Sequence, residues 1–255
     1  MNSEIKLLET VDRGIGFLNE VLAAQLLSTT AVEVLSYSGE IKTVLKRLMQ
    51  DKIDWSAPGS VHRVPPEKLE RIIELAQKDV ETGFPVTTNQ TIVSMWAGLE
   101  FLVQEVMFAT LLAYPQKVNQ IAGGTIKIKA SELVLSDYEE RLRVLVAKIE
   151  QSLEGEENQG VQRFETLLKT VGLSGPLDIE VRQLLNEIKE IRNAIVHRAG
   201  TVDKRLGDST PHSGLEIGSP IRISAVTFRQ YTAAVMAYAH AVRDRVGNQF
   251  VKLSL

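Results

Sequence analysis

The sequence predicts a mostly α-helical protein, and two observations carry that prediction. Apolar residues recur at helical spacing through most of the 255 residues, and glycine or proline separates the successive segments that show this spacing. A hydrophobic content of 44% and a charged content of 24% are ordinary for a globular protein with a sizeable core. We therefore expect an all-α fold, with one small strand-like insertion.

The N-terminal part of the chain is predicted to form two helices. The first covers residues 4–36, with a break expected near Gly14 and Gly16 because glycine weakens a helix interior. The second covers residues 38–55, where apolar side chains recur every three to four positions. We assign residues 1–84 to an N-terminal helical extension.

Two further helices are predicted on either side of a turn at residues 83–85. The prolines at residues 65–66 open the earlier helix, since proline is accepted in a first helical turn. The polar residues 87–89 are expected to cap the later one, which ends near Pro115. Its apolar run, residues 92–113, is interrupted by two glutamates and a glutamine, which is typical of a core helix rather than of a membrane span.

A strand-like insertion is predicted next, followed by two more helices. Residues 125–129 alternate apolar and polar side chains with period two, and residues 133–135 are apolar. Asp137 is then expected to cap a helix over residues 138–154. Another helix is expected over residues 161–171, with a glycine directly after it.

The next helix carries the candidate chemistry. Asp178 is expected to cap its start, and Gly200 to end it in the left-handed conformation. With an advance of about 100° per residue, its apolar positions form a single stripe. The stripe consists of Val181, Leu184, Leu185, Ile188, Ile191 and Ile195. Residues 201–220 are expected to be a loop, and a last helix is expected over residues 226–246.

Composition and charge narrow the class of protein. The chain has no cysteine, which excludes disulfides and thiolate metal sites and suits a reducing cytoplasm. Residues 1–8 lack the pattern of a secretory signal, so we expect a cytoplasmic protein that does not associate with a membrane. The net charge of −3 argues against indiscriminate coating of nucleic acid. Residues 189–255, however, carry ten Lys+Arg against five Asp+Glu, which permits a local phosphate-binding surface.

Arg192, Asn193 and His197 are the candidate site residues on this helix. An arginine is a fixed cation and a histidine exchanges a proton near neutral pH, a combination that suits phosphate chemistry. Arg192 falls inside the apolar stripe, so its charge is expected to face a carboxylate, a polar pocket or a subunit interface; the alternative is a side chain that reaches water. Asn193 and His197 are four residues apart and can share a hydrogen bond; the alternative is that His197 only stabilises the helix end.

The spacing of Arg192 and His197 predicts that they do not act together within one straight helix. They are five residues apart, which places them about 140° apart around the axis. A site that uses both needs a distorted helix end or a second copy of the chain. We therefore expect a composite site at a homodimer interface.

Residues 178–200 resemble the signature of the HEPN superfamily (higher eukaryotes and prokaryotes nucleotide-binding domains). Its ribonuclease members carry an arginine, four to six further residues and a histidine, usually with a polar residue directly after the arginine. Here four residues separate Arg192 from His197, and Asn193 takes the polar place. The resemblance extends over residues 87–246, and we assign residues 85–250 to a HEPN-like helical domain.

The resemblance implies a metal-independent endoribonuclease that needs no cofactor, in which the RNA 2′-hydroxyl attacks the adjacent phosphate. His197 would serve as general base or acid, Arg192 would neutralise the phosphate, and Asn193 would orient His197 or the phosphate. Glu100, on the upstream helix, would pair with Arg192; the alternative is a glutamate at the edge of the core.

The resemblance also implies partners. They are RNA, a second copy of the chain and, in the toxin or antiviral-defence setting common in the family, an antitoxin or a regulatory protein. Other members have lost catalysis, so a non-catalytic interaction or nucleotide-binding module is the alternative.

Overall fold

The computed structural model describes residues 3–36, 66–118, 137–152 and 160–253, and these ranges are mainly helical. Their helices are α1 (Ser3–Ser36), α2 (Pro66–Glu81), α3 (Pro85–Ala113), α4 (Tyr138–Ser152), α5 (Val161–Thr170), α6 (Ile179–His197), α7 (Lys204–Ser209) and α8 (Ala225–Leu253). No strand occurs in these ranges, so the all-α prediction is confirmed. The predicted helix over 38–55 and the predicted strand-like insertion lie outside the described residues.

α1 runs without interruption through Gly14 and Gly16, so the expected break is wrong. A Cβ atom on Gly14 would lie 2.5 Å from Cδ1 of Leu102 in α3, and one on Gly98 of α3 would lie 2.6 Å from Cδ2 of Leu18. These two glycines allow α1 and α3 to approach closely. The packing outweighs the ~1 kcal/mol by which glycine disfavours a helix interior.

α3 is the central helix of the core. It packs against α1, α4, α5, α6 and α8, and fifteen of its residues are buried. A helix that is buried on most sides is apolar on most sides. By length and composition alone, α3 and α1 could each cross a membrane; 56% of the apolar window of α3 is buried in the protein, against 11% for α1. The burial of α3 is what a core helix requires.

The start of α3 differs from the prediction. Residues 87–89 do not cap it; the helix begins at Pro85, directly after Phe84, whose φ is 59°. The cap comes from α2, where the buried carboxylate of Asp79 accepts hydrogen bonds from the Val86 N–H at 3.0 Å and the Thr87 hydroxyl at 3.3 Å. Free N–H groups at a helix start need such a partner, and here another helix supplies it.

The first half of α1 belongs to the same hydrophobic core as the later helices. Leu7, Val11, Ile15 and Leu18 join one cluster of buried side chains with α3, α6 and α8. Arg243 of α8 also forms an ion pair with Asp12 at 2.5 Å. The domain boundary at residue 84 stays a prediction, but α1 does not form a separate core.

Both ends of α6 follow the sequence prediction. The Asp178 carboxylate accepts from the N–H groups of Glu180 at 2.8 Å and Val181 at 3.3 Å. At the other end Gly200 has a φ of 68°, and its N–H donates to the carbonyl of Ala194 at 3.1 Å. Such a bond satisfies a carbonyl that the end of the helix would otherwise leave free.

The segment between α6 and α8 is more ordered than the predicted loop. It contains α7, whose start is capped by Asp203 through the Leu206 N–H at 2.7 Å. An antiparallel bridge joins Thr201 to Pro220, and the Ile221 N–H donates to the Gly200 carbonyl at 2.8 Å. The chain therefore returns to the end of α6 before α8 begins.

Candidate functional site

The buried face of α6 is the predicted apolar stripe, with small changes at its ends. Leu184, Leu185, Ile188 and Ile191 are buried in the core. Val181 and Ile195 are only partly buried and pack against the same cluster. The stripe fixes the rotation of α6 and therefore the direction in which each polar side chain points.

Arg192 lies at the margin of this face, partly buried. Its Nε atom is buried without a hydrogen-bond partner, and its Nη1 donates to Oδ1 of Asn193 at 3.3 Å. The ion pairs of the described residues do not include Arg192. A partly buried cation without an anion among the described residues is suited to an anion from outside.

His197 is exposed in the last turn of α6. Asn193 uses its side-chain oxygen on Arg192, and no hydrogen bond joins Asn193 to His197 among the described side chains. The expected Asn193–His197 pair is therefore not formed here. Asn193 contacts the arginine, and the imidazole stays open to solvent.

Arg192 and His197 remain separated within one chain. α6 is regular up to its end, where the Arg198 N–H donates to the Ala194 carbonyl at 3.0 Å. A regular helix keeps residues five positions apart at about 140° around its axis. The helix end is thus not distorted in the way that would bring the two side chains together.

Glu100 does not pair with Arg192 in this structure. Its carboxylate accepts from the indole N–H of Trp96 at 2.9 Å. Trp96 is nearly fully buried and stacks on Phe164, with 5.0 Å between the ring centroids. This is the alternative that the sequence left open, a glutamate at the edge of the core, and its contact holds a core tryptophan in place.

A second polar cluster lies on the other flank of α6, and the sequence analysis missed it. The carboxylate of Glu187 is 2% exposed and accepts from the Tyr231 hydroxyl at 2.8 Å and from the His212 N–H at 3.0 Å; Nδ1 of the His212 ring lies 2.6 Å away. Burial, and then the hydrogen bond to Glu187, raise the pKa of Tyr231, so its hydroxyl remains a donor. A glutamate between Leu184 and Ile191 at helical spacing was the available signal.

The chain after α6 adds positive charge a few residues beyond His197 in the sequence. Arg198 pairs with Asp203, whereas Lys204 and Arg205 at the start of α7 are exposed and take part in no ion pair of the described residues. The hydrogen bond from the Leu206 N–H, and then the Arg198 guanidinium, lower the pKa of the Asp203 carboxyl. In the described ranges no group of three or more His, Cys, Asp or Glu side chains could hold a metal ion.

Comparison with known proteins gives no match: no family model fits the chain, and no curated protein or solved structure is significantly similar to it. The likeness to the HEPN superfamily therefore depends on the sequence pattern alone. Fold and site together define an all-α protein whose arginine–histidine motif (Arg192, Asn193 and His197) stands at the end of a core helix.

Proposed function

We propose that this chain is a metal-independent endoribonuclease of the HEPN type that acts as a homodimer. The observation that carries the proposal is Arg192: it is partly buried, its Nε lacks a partner, and no described carboxylate neutralises it. The same helix ends in an exposed histidine. Cleavage of RNA by attack of its 2′-hydroxyl requires a group that transfers protons and a cation that stabilises the charge on the phosphate.

In the proposed reaction, His197 takes the proton of an RNA 2′-hydroxyl, and that oxygen attacks the adjacent phosphorus. The bond to the 5′-oxygen breaks, the leaving oxygen takes a proton from water, and the His197 imidazolium returns its proton to the solvent. The products are a 2′,3′-cyclic phosphate and a 5′-hydroxyl. The planar guanidinium of Arg192 neutralises the charge that builds up on the phosphate oxygens.

The separation of Arg192 and His197 around α6 supports a site composed of two chains. A two-fold axis near the end of α6 would bring the arginine of one copy close to the histidine of the other. The exposed cations Lys204 and Arg205 would then flank the RNA backbone. A cytoplasmic location and a role as a toxin or defence effector, with an antitoxin or regulatory partner, belong to the same proposal.

Cleavage of a single-stranded RNA oligonucleotide tests this function. We expect Arg192→Ala and His197→Ala each to lower the rate by about 10²-fold or more, the usual effect of losing a charge-stabilising or proton-transfer group. A chelator should leave the rate unchanged. Arg182→Ala, which removes an exposed arginine near the start of the same helix, is the matched control and should retain full activity. Absence of cleavage by the wild-type dimer would contradict the proposal.

A non-catalytic nucleotide-binding or interaction module is the second candidate. The observation that favours it is His197, which is exposed and held by no hydrogen bond among the described residues. A catalytic imidazole is usually oriented by a neighbour. RNA binding that Arg192→Ala weakens, without any cleavage and with no effect of His197→Ala, would select this candidate.

A further inference from the structure

An apolar groove opens between α1, α2 and the start of α3. Its volume is about 580 Å³. The lining side chains include Val32 and Leu35 of α1, Ile72 and Leu75 of α2, and Val86 of α3. Leu75 is 58% exposed and Val86 is 59% exposed. Single exposed apolar side chains are ordinary on a protein surface, but a concave cluster of them marks an interaction site.

The rim of the groove is positively charged. Lys78 of α2 and Arg222, which follows the Thr201–Pro220 bridge, line it, and both are exposed. Neither takes part in an ion pair of the residues that the structure describes. Among the described lining residues the carboxylate is that of Asp79, which already accepts the hydrogen bonds that cap α3. An occupant with an apolar face and negatively charged flanks would therefore complement the groove.

The shape of the groove suits a helix better than a small molecule. The lining residues of α2 extend from Ile72 to Asp79, which is about 10 Å at 1.5 Å per residue. Sites for small ligands usually enclose most of the ligand surface, whereas these walls leave large side chains half-exposed. Recognition of an amphipathic helix in an open apolar groove is a recurring mode of protein–protein binding.

We propose that this groove docks an amphipathic helix of a partner protein, with its apolar face on the groove floor and its acidic flanks beside Lys78 and Arg222. Charge distinguishes this occupant from the chain's own residues 37–65, which connect α1 to α2 in sequence. That segment carries five Lys+Arg against three Asp+Glu, so its net charge has the same sign as the rim. Like charges oppose docking.

The groove is connected to the end of α6 through the backbone. Pro220, which lines the groove, forms the bridge with Thr201, and the next residue bonds to the Gly200 carbonyl at 2.8 Å. A helix seated in the groove would hold the segment that follows His197. An effect of docking on RNA cleavage rests on the proposed function, but docking itself does not.

Peptide selection tests the docking. A phage library of random peptides with a length of about four helical turns is selected on the wild-type protein, and the enriched peptides are measured by fluorescence anisotropy. We expect apolar residues at helical spacing with aspartate or glutamate beside them. Leu75→Asp, and Lys78→Glu combined with Arg222→Glu, should each weaken binding by about tenfold or more, as for hot-spot residues.

The matched control is Ile179→Asp, because Ile179 is 72% exposed and does not line the groove. This variant should bind the selected peptides as the wild type does. Enrichment of basic peptides, failure to enrich any peptide, or equal binding to Leu75→Asp would each overturn the proposal.

Thiol labelling distinguishes a partner helix from the two other possible occupants of the groove, which are residues 37–65 and a second copy of the chain. The chain has no cysteine, so Leu75→Cys and the control Ile179→Cys each carry one reactive thiol. We expect a maleimide to modify both at similar rates at every protein concentration, and a selected peptide to protect only Leu75→Cys. Slow labelling of Leu75→Cys at all concentrations would show that residues 37–65 fill the groove. Slowing with rising concentration would show that a second copy does, and either result overturns the proposal.

Discussion

Glu187 shows at the scale of single residues how a buried charge is accommodated. Its Oε2 accepts a hydrogen bond from the Tyr231 hydroxyl of α8, and its Oε1 accepts one from the backbone N–H of His212. Nδ1 of the His212 ring lies against the same Oε1 atom. A carboxylate that is almost fully buried is tolerated only when such partners replace water. The cluster thereby ties α6 to α8 and to the segment between them.

Removing one donor of this cluster should destabilise the protein. We expect Tyr231→Phe to lower the free energy of unfolding by about 1–3 kcal/mol, because one carboxylate oxygen of Glu187 then loses its hydrogen-bond donor in a buried place. Urea denaturation followed by circular dichroism measures this. Tyr138→Phe, at a tyrosine that is 43% exposed, is the control and should change little. Equal stability of the two variants would contradict the account of the cluster.

The sequence identified the positions of the candidate site but not their partners. The spacing of Arg192 and His197 predicted their separation around α6, since helix geometry depends only on position. The partner of Asn193 is Arg192 and the partner of Glu100 is Trp96, and neither was predicted. A polar side chain often has several possible partners within reach. Packing decides which of them it bonds, and the spacing of residues along one helix does not describe packing.

At the scale of the secondary-structure elements, the close approach of α1 and α3 depends on Gly14 of α1 and Gly98 of α3. A side chain on Gly14 would collide with Leu102, whereas a Cβ atom on Gly16 would meet nothing within 4 Å. Gly14 and Gly16 lie two residues apart in one helix, but only Gly14 lacks room for a side chain. They therefore form a matched pair in which helix propensity and packing can be separated.

We expect Gly14→Ala and Gly16→Ala to have effects of opposite sign. Gly16→Ala should stabilise the protein by about 0.5–1 kcal/mol, because alanine favours a helix interior. Gly14→Ala should destabilise it by about 1–3 kcal/mol, because the added methyl group overpacks the contact with Leu102. Thermal unfolding of the two variants measures both. Stabilisation by Gly14→Ala would contradict this account of the contact between Gly14 and Leu102.

The bounds of the elements were predictable where the signal was local. Asp178 and Gly200 delimit α6 as expected, because a cap acts on the helix beside it. The cap of α3 was not predictable, because Asp79 belongs to a different helix. The order within residues 201–220 was missed because α7 is only six residues long.

At the scale of the whole molecule, the proposed site depends on a second copy of the chain. One α6 helix presents Arg192 at the margin of its buried face and His197 to solvent. The spacing of residues within one chain does not specify which surfaces two copies would bring into contact. The all-α class was predictable because hydrophobic spacing indicates which helix faces are buried. The core that α1 shares with the later helices was not predicted, because residues 1–84 were assigned to a separate extension.

Mixing two inactive variants tests whether the site is shared between chains. If Arg192 of one subunit acts with His197 of the other, a heterodimer of Arg192→Ala and His197→Ala retains one intact site. With random exchange of subunits, the mixture should recover about a quarter of the wild-type activity, since half of the dimers are mixed and each has one of two sites. Each variant alone should stay inactive.

The measurement is RNA cleavage after the variants have been unfolded and refolded together, with separately refolded variants combined afterwards as the control. Recovery only in the co-refolded sample indicates a shared site. A dimer that forms normally and shows no recovery would indicate that both residues act within one chain.

The bridge between Thr201 and Pro220 has a consequence for how this protein can change in evolution. Because the two ends of the segment are held together beside Gly200, the distance from α6 to α8 does not depend on the length of chain in between. The exposed turn at residues 216–218 is the place where additional residues would disturb the least. Related chains can therefore differ in length there while their candidate sites keep the same geometry.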